Sequence, residues 1–185
     1  MTKTLDCGGQ TVTIRPFKHA DAATVAAFAQ GLPEQDLLFL SRDIKHARVI
    51  EAWRDAIDAG EIESLVAVDA ADTVVGTTAT VRDPLGWSPH VAEIRLLVSP
   101  VMRGKGLGRA LLEASMALVR EAGATKLTAR MTPDQRGAIT LFEEAGFRGE
   151  AMLRDHVRGR DGRFHDLAIL SCDVSRADAK RDAFG

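Results

Sequence analysis

One stretch limits the folds open to this chain more than any other: Val98-Ser99-Pro100-Val101-Met102-Arg103-Gly104-Lys105-Gly106-Leu107-Gly108-Arg109. An apolar run, residues 94–98, precedes it and reads as a strand, and an amphipathic run, 107–122, follows and reads as a helix. Between them, residues 103–109 hold three glycines and three cations. Alternate glycines let the backbone turn through angles closed to other residues and keep side chains out of the way. The amides of such a turn form a nest, and the following helix adds the positive end of its dipole. Strand, nest and helix N-terminus make an anion site suited to phosphate or pyrophosphate, with Arg103, Lys105 and Arg109 adding charge.

Three phosphate loops share this outline. A Walker loop requires Gly-Lys followed by Ser or Thr, but Gly106 and Leu107 follow Lys105, so the magnesium-binding hydroxyl is missing. A dinucleotide fingerprint requires Gly-x-Gly-x-x-Gly and an acidic residue at the end of the next strand. Here the glycines are Gly104, Gly106 and Gly108, and the next strand ends Arg130-Met131-Thr132.

The third loop fits. Arg103-x-x-Gly106-x-Gly108, after Leu96-Leu97-Val98 and before Arg109-Ala110-Leu111-Leu112, resembles the acyl-CoA loop of the GNAT superfamily of N-acetyltransferases. Residues 135–147, from Gln135 to the Gly146-Phe147 exit, resemble the family's later helix, and Ile14-Arg15-Pro16 resembles its first strand. The resemblance covers residues 12–172. It implies acetyl-CoA as co-substrate, with the pantetheine arm in a wedge between two splayed strands. The implied cofactor residues are Leu97 and Val98 on the strand, Arg103, Gly104, Lys105, Gly106, Leu107, Gly108 and Arg109 on the loop, and Gln135 and Phe142 on the later helix.

The rest of the chain reads in order around this loop. Residues 1–10 read as irregular. Residues 11–17 alternate as a strand, and 21–32 carry Val25, Phe28 and Leu32 at helical spacing. A second helix has Ile50, Trp53 and Ile57 as its apolar stripe, Ser41 or Asp43 as cap and Gly60 as stop. Residues 64–69 and 73–81 read as strands joined by a hairpin at 70–72, and 83–89 as a turn-rich loop. Residues 91–98 feed the phosphate loop. After the 107 helix come a strand at 125–131, the 135 helix, and strands at 147–158 and 164–174 joined by an Asp161-Gly162 turn. Residues 175–185 read as a frayed, charged tail. This is one α/β (α+β) domain over 11–174, with a mixed central sheet of about seven strands and helices on both faces.

Composition narrows the function classes. Net charge is −2, with 27% charged and 45% hydrophobic residues, which disfavours wholesale nucleic-acid or anionic-membrane binding. No apolar run approaches the ~20 residues of a membrane span, and the N-terminus has no apolar signal core, so the expected location is the cytoplasm. Cys7 and Cys172 lack metal-ligand companions at close spacing, so no metal is expected and both read as free thiols. Homodimer formation is left open.

Acetyl transfer to an amine needs a neutral amine, a stabilised oxyanion and a departing thiolate. A lysine-like amine at pH 7 starts about 4.6 kcal/mol from its neutral form. Glu93, on the strand leading to the loop, is the leading candidate base, and His156, His165 and Asp166 on the last hairpin are secondary ones. Backbone N–H near Val98 is a candidate oxyanion donor. Many members of the family carry a Tyr acid on the later helix; this chain has no Tyr, and Phe142 stands there. Two readings follow: an N-acetyltransferase acting by direct attack in a ternary complex, or a non-catalytic acyl-CoA-binding or sensing domain. The acceptor reads as a small amine or a protein amine, with Glu34, Asp36, Asp43 and Asp83 available to attract a cation.

Overall fold

The apolar strand ahead of the loop forms as β5 (Val91–Val98), and the computed structural model, which describes residues 2–174, builds a single sheet around it. The remaining strands are β1 (Lys3–Asp6), β2 (Thr11–Pro16), β3 (Ile62–Asp69), β4 (Val74–Val81), β6 (Lys126–Met131), β7 (Arg148–Arg158) and β8 (Phe164–Asp173). The helices are α1 (Ala22–Gln30), α2 (Ala47–Asp58), α3 (Leu107–Glu121) and α4 (Arg136–Glu144). The sheet order is β1-β2-β3-β4-β5-β6-β8-β7. Among the described residues only β5 and β6 pair in parallel, joined by the α3 crossover, as a parallel connection requires. The tail at 175–185 lies outside the described residues.

The sequence reading differs from the structure in two places. Within the stretch read as irregular, Lys3–Asp6 is a strand that pairs antiparallel with β2, which makes eight strands among the described residues rather than about seven. The turn closes with Cys7 N–H donating to the Gln10 carbonyl at 2.8 Å, and Gly8 and Gly9 both have positive φ. Gly-Gly is a hairpin signal; it is hard to recognise here because β1 carries a single large apolar residue, Leu5. Secondly, neither Ser41 nor Asp43 caps α2. The helix begins at Ala47, after His46, with no side-chain cap. Asp43 instead accepts the Lys45 N–H at 2.9 Å and pairs with Arg160 on the last hairpin.

Helices cover both faces. On one face α3 and α4 lay Leu112, Met116, Val119 and Phe142 against Ile94, Leu127 and Met131. Phe142 meets Phe147 edge to face at 5.0 Å. On the other face Val25 and Phe28 of α1 and Ile50 of α2 pack on Val66, Val68 and Leu97. The Arg15–Asp21 pair ties the end of β2 to the start of α1, with contacts of 2.7 and 2.8 Å. Burial disfavours the Asp21 charge, but the Arg15 guanidinium and the Lys18 N–H outweigh it and hold the carboxyl below its ordinary value of 3.8. Cys7 and Cys172 are both buried.

Candidate active site

The parallel pairing of β5 and β6 stops early. It joins Val91 to Lys126, Ala92 to Leu127 and Glu93 to Thr128, and beyond Glu93 the strands part. β6 stays paired with β8 as far as Met131, and β5 with β4 as far as Val98. The wedge is therefore open between two strands that are each held on their far side. Ser99 N–H donates to the Val75 carbonyl at 2.9 Å. Alternation along that antiparallel ladder sends the backbone groups of Leu97 and Arg95 to β4, and those of Ile94, Leu96 and Val98 into the gap.

A cavity of about 480 Å³ fills the wedge. Ile94, Leu96 and Val98 of β5, Met131 of β6, and Leu141 and Phe142 of α4 give it apolar walls. Arg103, Gly104 and Gly108 close it at the N-terminus of α3. Gly106 has φ +84° and sits immediately before the helix, whose first turn closes when Ala110 N–H donates to Gly106 C=O at 3.1 Å. The amides ahead of Ala110 have no acceptor within the helix. A Cβ built on Gly104 or Gly106 meets nothing within 4 Å, so their side of the loop is open. Gly108 is constrained differently: its Cβ would lie 3.2 Å from Leu141 Cδ2, so glycine lets α3 and α4 meet. Free amides, an open glycine edge and an unpaired strand edge suit a phosphorylated arm rich in amides, as coenzyme A has.

Leu97, Val98, Arg103, Gly104, Gly108, Gln135 and Phe142 all line this cavity, while Lys105, Gly106, Leu107, Arg109 and Glu93 do not. Leu107 is buried beneath the loop. Gly106 supplies the turn. Lys105 lies along Gly8 and reaches Gln10 Oε1 at 3.3 Å. Arg109 pairs with Glu144 on α4. Arg103 pairs with Asp36 in the 3-10 turn Glu34–Asp36, across the cavity from its own loop. Gln135 accepts the Thr132 N–H at 3.1 Å and donates to the Gln35 carbonyl at 3.4 Å, so it joins β6 to that same turn.

Glu93 lies on the α1–α2 face with Arg95 and Arg130 around it. Its carboxylate accepts Arg95 Nε at 2.8 Å and sits 3.1 Å from Arg130 Nη2. Arg130 lines the cavity, as does Arg136 in the first turn of α4; sequence reasoning singled out neither. Their only advance signals were alternation along β6 for Arg130 and the Gln135-Arg136 step for Arg136. The last hairpin contributes less. Asp166 accepts the Asp155 N–H at 2.9 Å, and none of His156, His165 and Asp166 lines this cavity.

The four acids expected to attract a cationic acceptor are engaged internally. Glu34 accepts the Arg160 N–H, Asp36 pairs with Arg103, and Asp43 pairs with Arg160. Asp83 accepts the N–H groups of Leu85 and Gly86, each at 2.9 Å. Burial works against the Asp43 charge, but the Lys45 N–H and Arg160 more than compensate, and its pKa is lowered.

A second cavity, about 340 Å³, lies under α2 on the β3–β4–β5 side, and Leu97 lines both it and the first.

Comparison with known proteins agrees with this arrangement. The Acetyltransferase (GNAT) family model matches residues 29–147, more than half of the chain. A mycothiol acetyltransferase of Pseudarthrobacter chlorophenolicus is 33% identical over 144 residues, covering 74% of this chain and 42% of that protein. That of Salinispora arenicola is 34% identical over 143 residues, covering 74% and 44%. The chain thus spans less than half the length of these relatives. Among solved structures, spermidine N-acetyltransferase from Vibrio cholerae, in complex with CoA and spermine, superposes with a TM-score of 0.74 at 18% identity, covering 90% of this chain and 97% of that one. The yncA protein of Salmonella typhimurium, solved with its cofactor acetyl-CoA, gives 0.74 at 23% identity, covering 88% and 94%. Similarity at that level is similarity of fold, and with the family match it leads to one conclusion: the chain belongs to the GNAT family of acetyltransferases.

Proposed function

We propose that the protein is an acyl-CoA-dependent N-acyltransferase that passes an acetyl group from acetyl-CoA to an amine by direct attack in a ternary complex. One observation carries the reading: the wedge between β5 and β6 opens beside a glycine-turned helix N-terminus. The family membership and the relatives' acetyltransferase names support it. The acyltransferase domain is taken as residues 11–174, with β1 added at its edge. Cys7, a buried free thiol, suits a reducing compartment, the cytoplasm.

In this reading, residues 104–109 offer amides to the pyrophosphate, with Arg103 beside them. Leu96 and Val98 offer backbone groups to the amide arm, and Phe142 and Leu141 pack against it. The bound thioester supplies the acyl group: the amine nitrogen takes the acyl carbon, the carbon–sulfur bond breaks with its electrons on sulfur, and an amine proton is released in balance. Val98 N–H is the backbone donor for the oxygen that becomes negative as acyl transfer proceeds. Phe142 has no proton to give, so the thiolate departs on a proton from water or from the amine itself.

Glu93 has its oxygens on two guanidiniums. That geometry supports a positioning role, with the carboxylate fixing Arg95 and Arg130, over proton abstraction.

Phe142 favours a second reading, an acyl-CoA sensor without turnover. Thiol release from acetyl-CoA separates the two. The acyltransferase account expects repeated turnovers with an amine from a broad panel that includes peptides. Acetyl-CoA binding without turnover on any of them would leave the sensor.

A further inference from the structure

The second cavity has mostly apolar walls, among them Ile44, Val49, Ile62 and Leu97. Besides the polar residues Ser41, Arg42, Glu61 and Thr77, its lining holds two, Trp53 and Arg95, that carry donors without an acceptor among the described residues. Trp53 Nε1 is buried and has no hydrogen-bond partner among the described residues. The indole is held in place by stacking on Phe17, with ring centroids 5.9 Å apart. Arg95 spends its Nε on Glu93, and its two terminal nitrogens have no hydrogen-bond partner among the described residues. Each of these groups donates, and a buried donor is stable only when it meets an acceptor.

The charge balance has the same sign. Glu93 offers one negative charge to two guanidiniums, Arg95 and Arg130. Their side chains are 15%, 22% and 38% exposed, so the surplus positive charge sits partly out of water and favours an anion beside it. Glu34, Asp36 and Asp43 on the strap, the segment 31–46 between α1 and α2, are engaged elsewhere, and Glu61 of the lining is exposed. A polyamine would meet cations and donors here.

We propose that this cavity binds the carboxylate of the acceptor, so that the acceptor is an amine carrying a carboxylate on an apolar body, of the size and character of an apolar amino acid. The carboxylate lies on the planar guanidinium of Arg95, which matches it with two parallel donors. Trp53 N–H supplies a further donor, and the apolar body lies against Ile44, Val49 and Ile62. The amine then points past Leu97 into the first cavity. Arg95 and Leu97 are two residues apart on one face of β5, a step of about 7 Å, which a small molecule spans. This assignment rests on the acyltransferase reading above and names its substrate class.

The test is calorimetry on the protein saturated with coenzyme A. Phenylalanine, leucine and methionine are titrated against their decarboxylated counterparts, with spermine as a cationic control. The expected result is at least tenfold tighter binding of the carboxylated amines. In Arg95→Met that ratio should collapse toward one. In Trp53→Phe, which keeps the ring and removes the N–H, binding should weaken a few-fold. The wild-type comparison needs no variant, so a misfolded Arg95→Met would not rescue the idea. Equal binding of the decarboxylated amines, tighter binding of spermine, or no binding of any carboxylated amine would overturn it. Carboxylate-dependent binding without thiol release from acetyl-CoA would contradict the acyltransferase reading and leave the subsite standing.

Discussion

The two cavities that share Leu97 as a wall are built on different principles. The first has apolar side-chain walls, but its anion-binding features are backbone: an unpaired strand edge and, at the loop that closes it, the free amides of a helix start behind a glycine with φ +84°. The second is made of side chains brought together from β3, β4, β5, α2 and the strap before it. A backbone site tolerates changes in most surrounding side chains but not in its glycines. A side-chain site changes its ligand when one or two residues change. The reading proposed above puts the cofactor on one side of Leu97 and the acceptor on the other, in keeping with that difference.

Four changes would break or sharpen this contrast. The largest effect is expected at Gly106. Gly106→Val puts a branched side chain at a left-handed φ and on the open edge of the loop, so acetyl-CoA affinity should fall about a hundredfold, or about 2.7 kcal/mol. The fold should survive a strain of about 1–2 kcal/mol. Titration of acetyl-CoA followed by tryptophan fluorescence would measure it, and retained affinity would move the pyrophosphate elsewhere.

Next comes Asp21, which ties the end of β2 to the start of α1 and lines neither cavity. Asp21→Asn should cost about 2 kcal/mol at pH 7, since it breaks a mostly buried pair and leaves Arg15 uncompensated. Because the folded pKa lies below 3.8, the native pair's stabilisation is complete above about that pH and is lost as pH falls through the folded value. Urea midpoints of wild type and variant should therefore differ by a constant amount from pH 7 to 5 and converge in stronger acid. A gap that persists at pH 2 would contradict the assignment.

Glu93 tests how the two cavities are joined. As a positioning residue, Glu93→Gln should lower kcat/KM about tenfold, through loss of a charged hydrogen bond to each arginine, and leave the pH–rate profile in place. A fall of about a hundredfold together with a missing basic limb would make it the general base after all.

The smallest effect concerns the Arg103–Asp36 pair, which ties the phosphate loop to the strap. Asp36→Asn frees Arg103, so acetyl-CoA should bind a few-fold tighter at low salt, and the gain should shrink at 0.5 M salt because Arg103 is half exposed. Weaker binding would mean that the pair supports the site.

The same contrast explains what the sequence could reveal. Gly104, Gly106 and Gly108 are legible because left-handed turns and close helix contacts leave a mark at fixed spacing. β5 and α3 are legible because each has its own period. Lys3–Asp6 escaped because a four-residue strand on the sheet edge has too little pattern to read. The cap of α2 was misread because Asp43 makes its contacts with Lys45 and with Arg160, over a hundred residues away. The Glu93–Arg95–Arg130 cluster forms only where β5 and β6 lie side by side, so Arg130 left no local trace beside Glu93. Glu34, Asp36, Asp43 and Asp83, which the sequence offers as attractors for a cation, meet long-range arginines and nearby amides that leave no local trace either.

The most direct test of the central claim, that the wedge and the helix N-terminus of α3 bind acetyl-CoA, is thermal melting with acetyl-CoA, ATP and NAD in parallel. At a ligand concentration about a hundredfold above Kd, binding contributes roughly 2.7 kcal/mol, which for a chain of this length is a rise in Tm of about 5–10 °C. The account predicts that rise with acetyl-CoA alone. An equal rise with ATP or NAD, or none with any of the three, would contradict it.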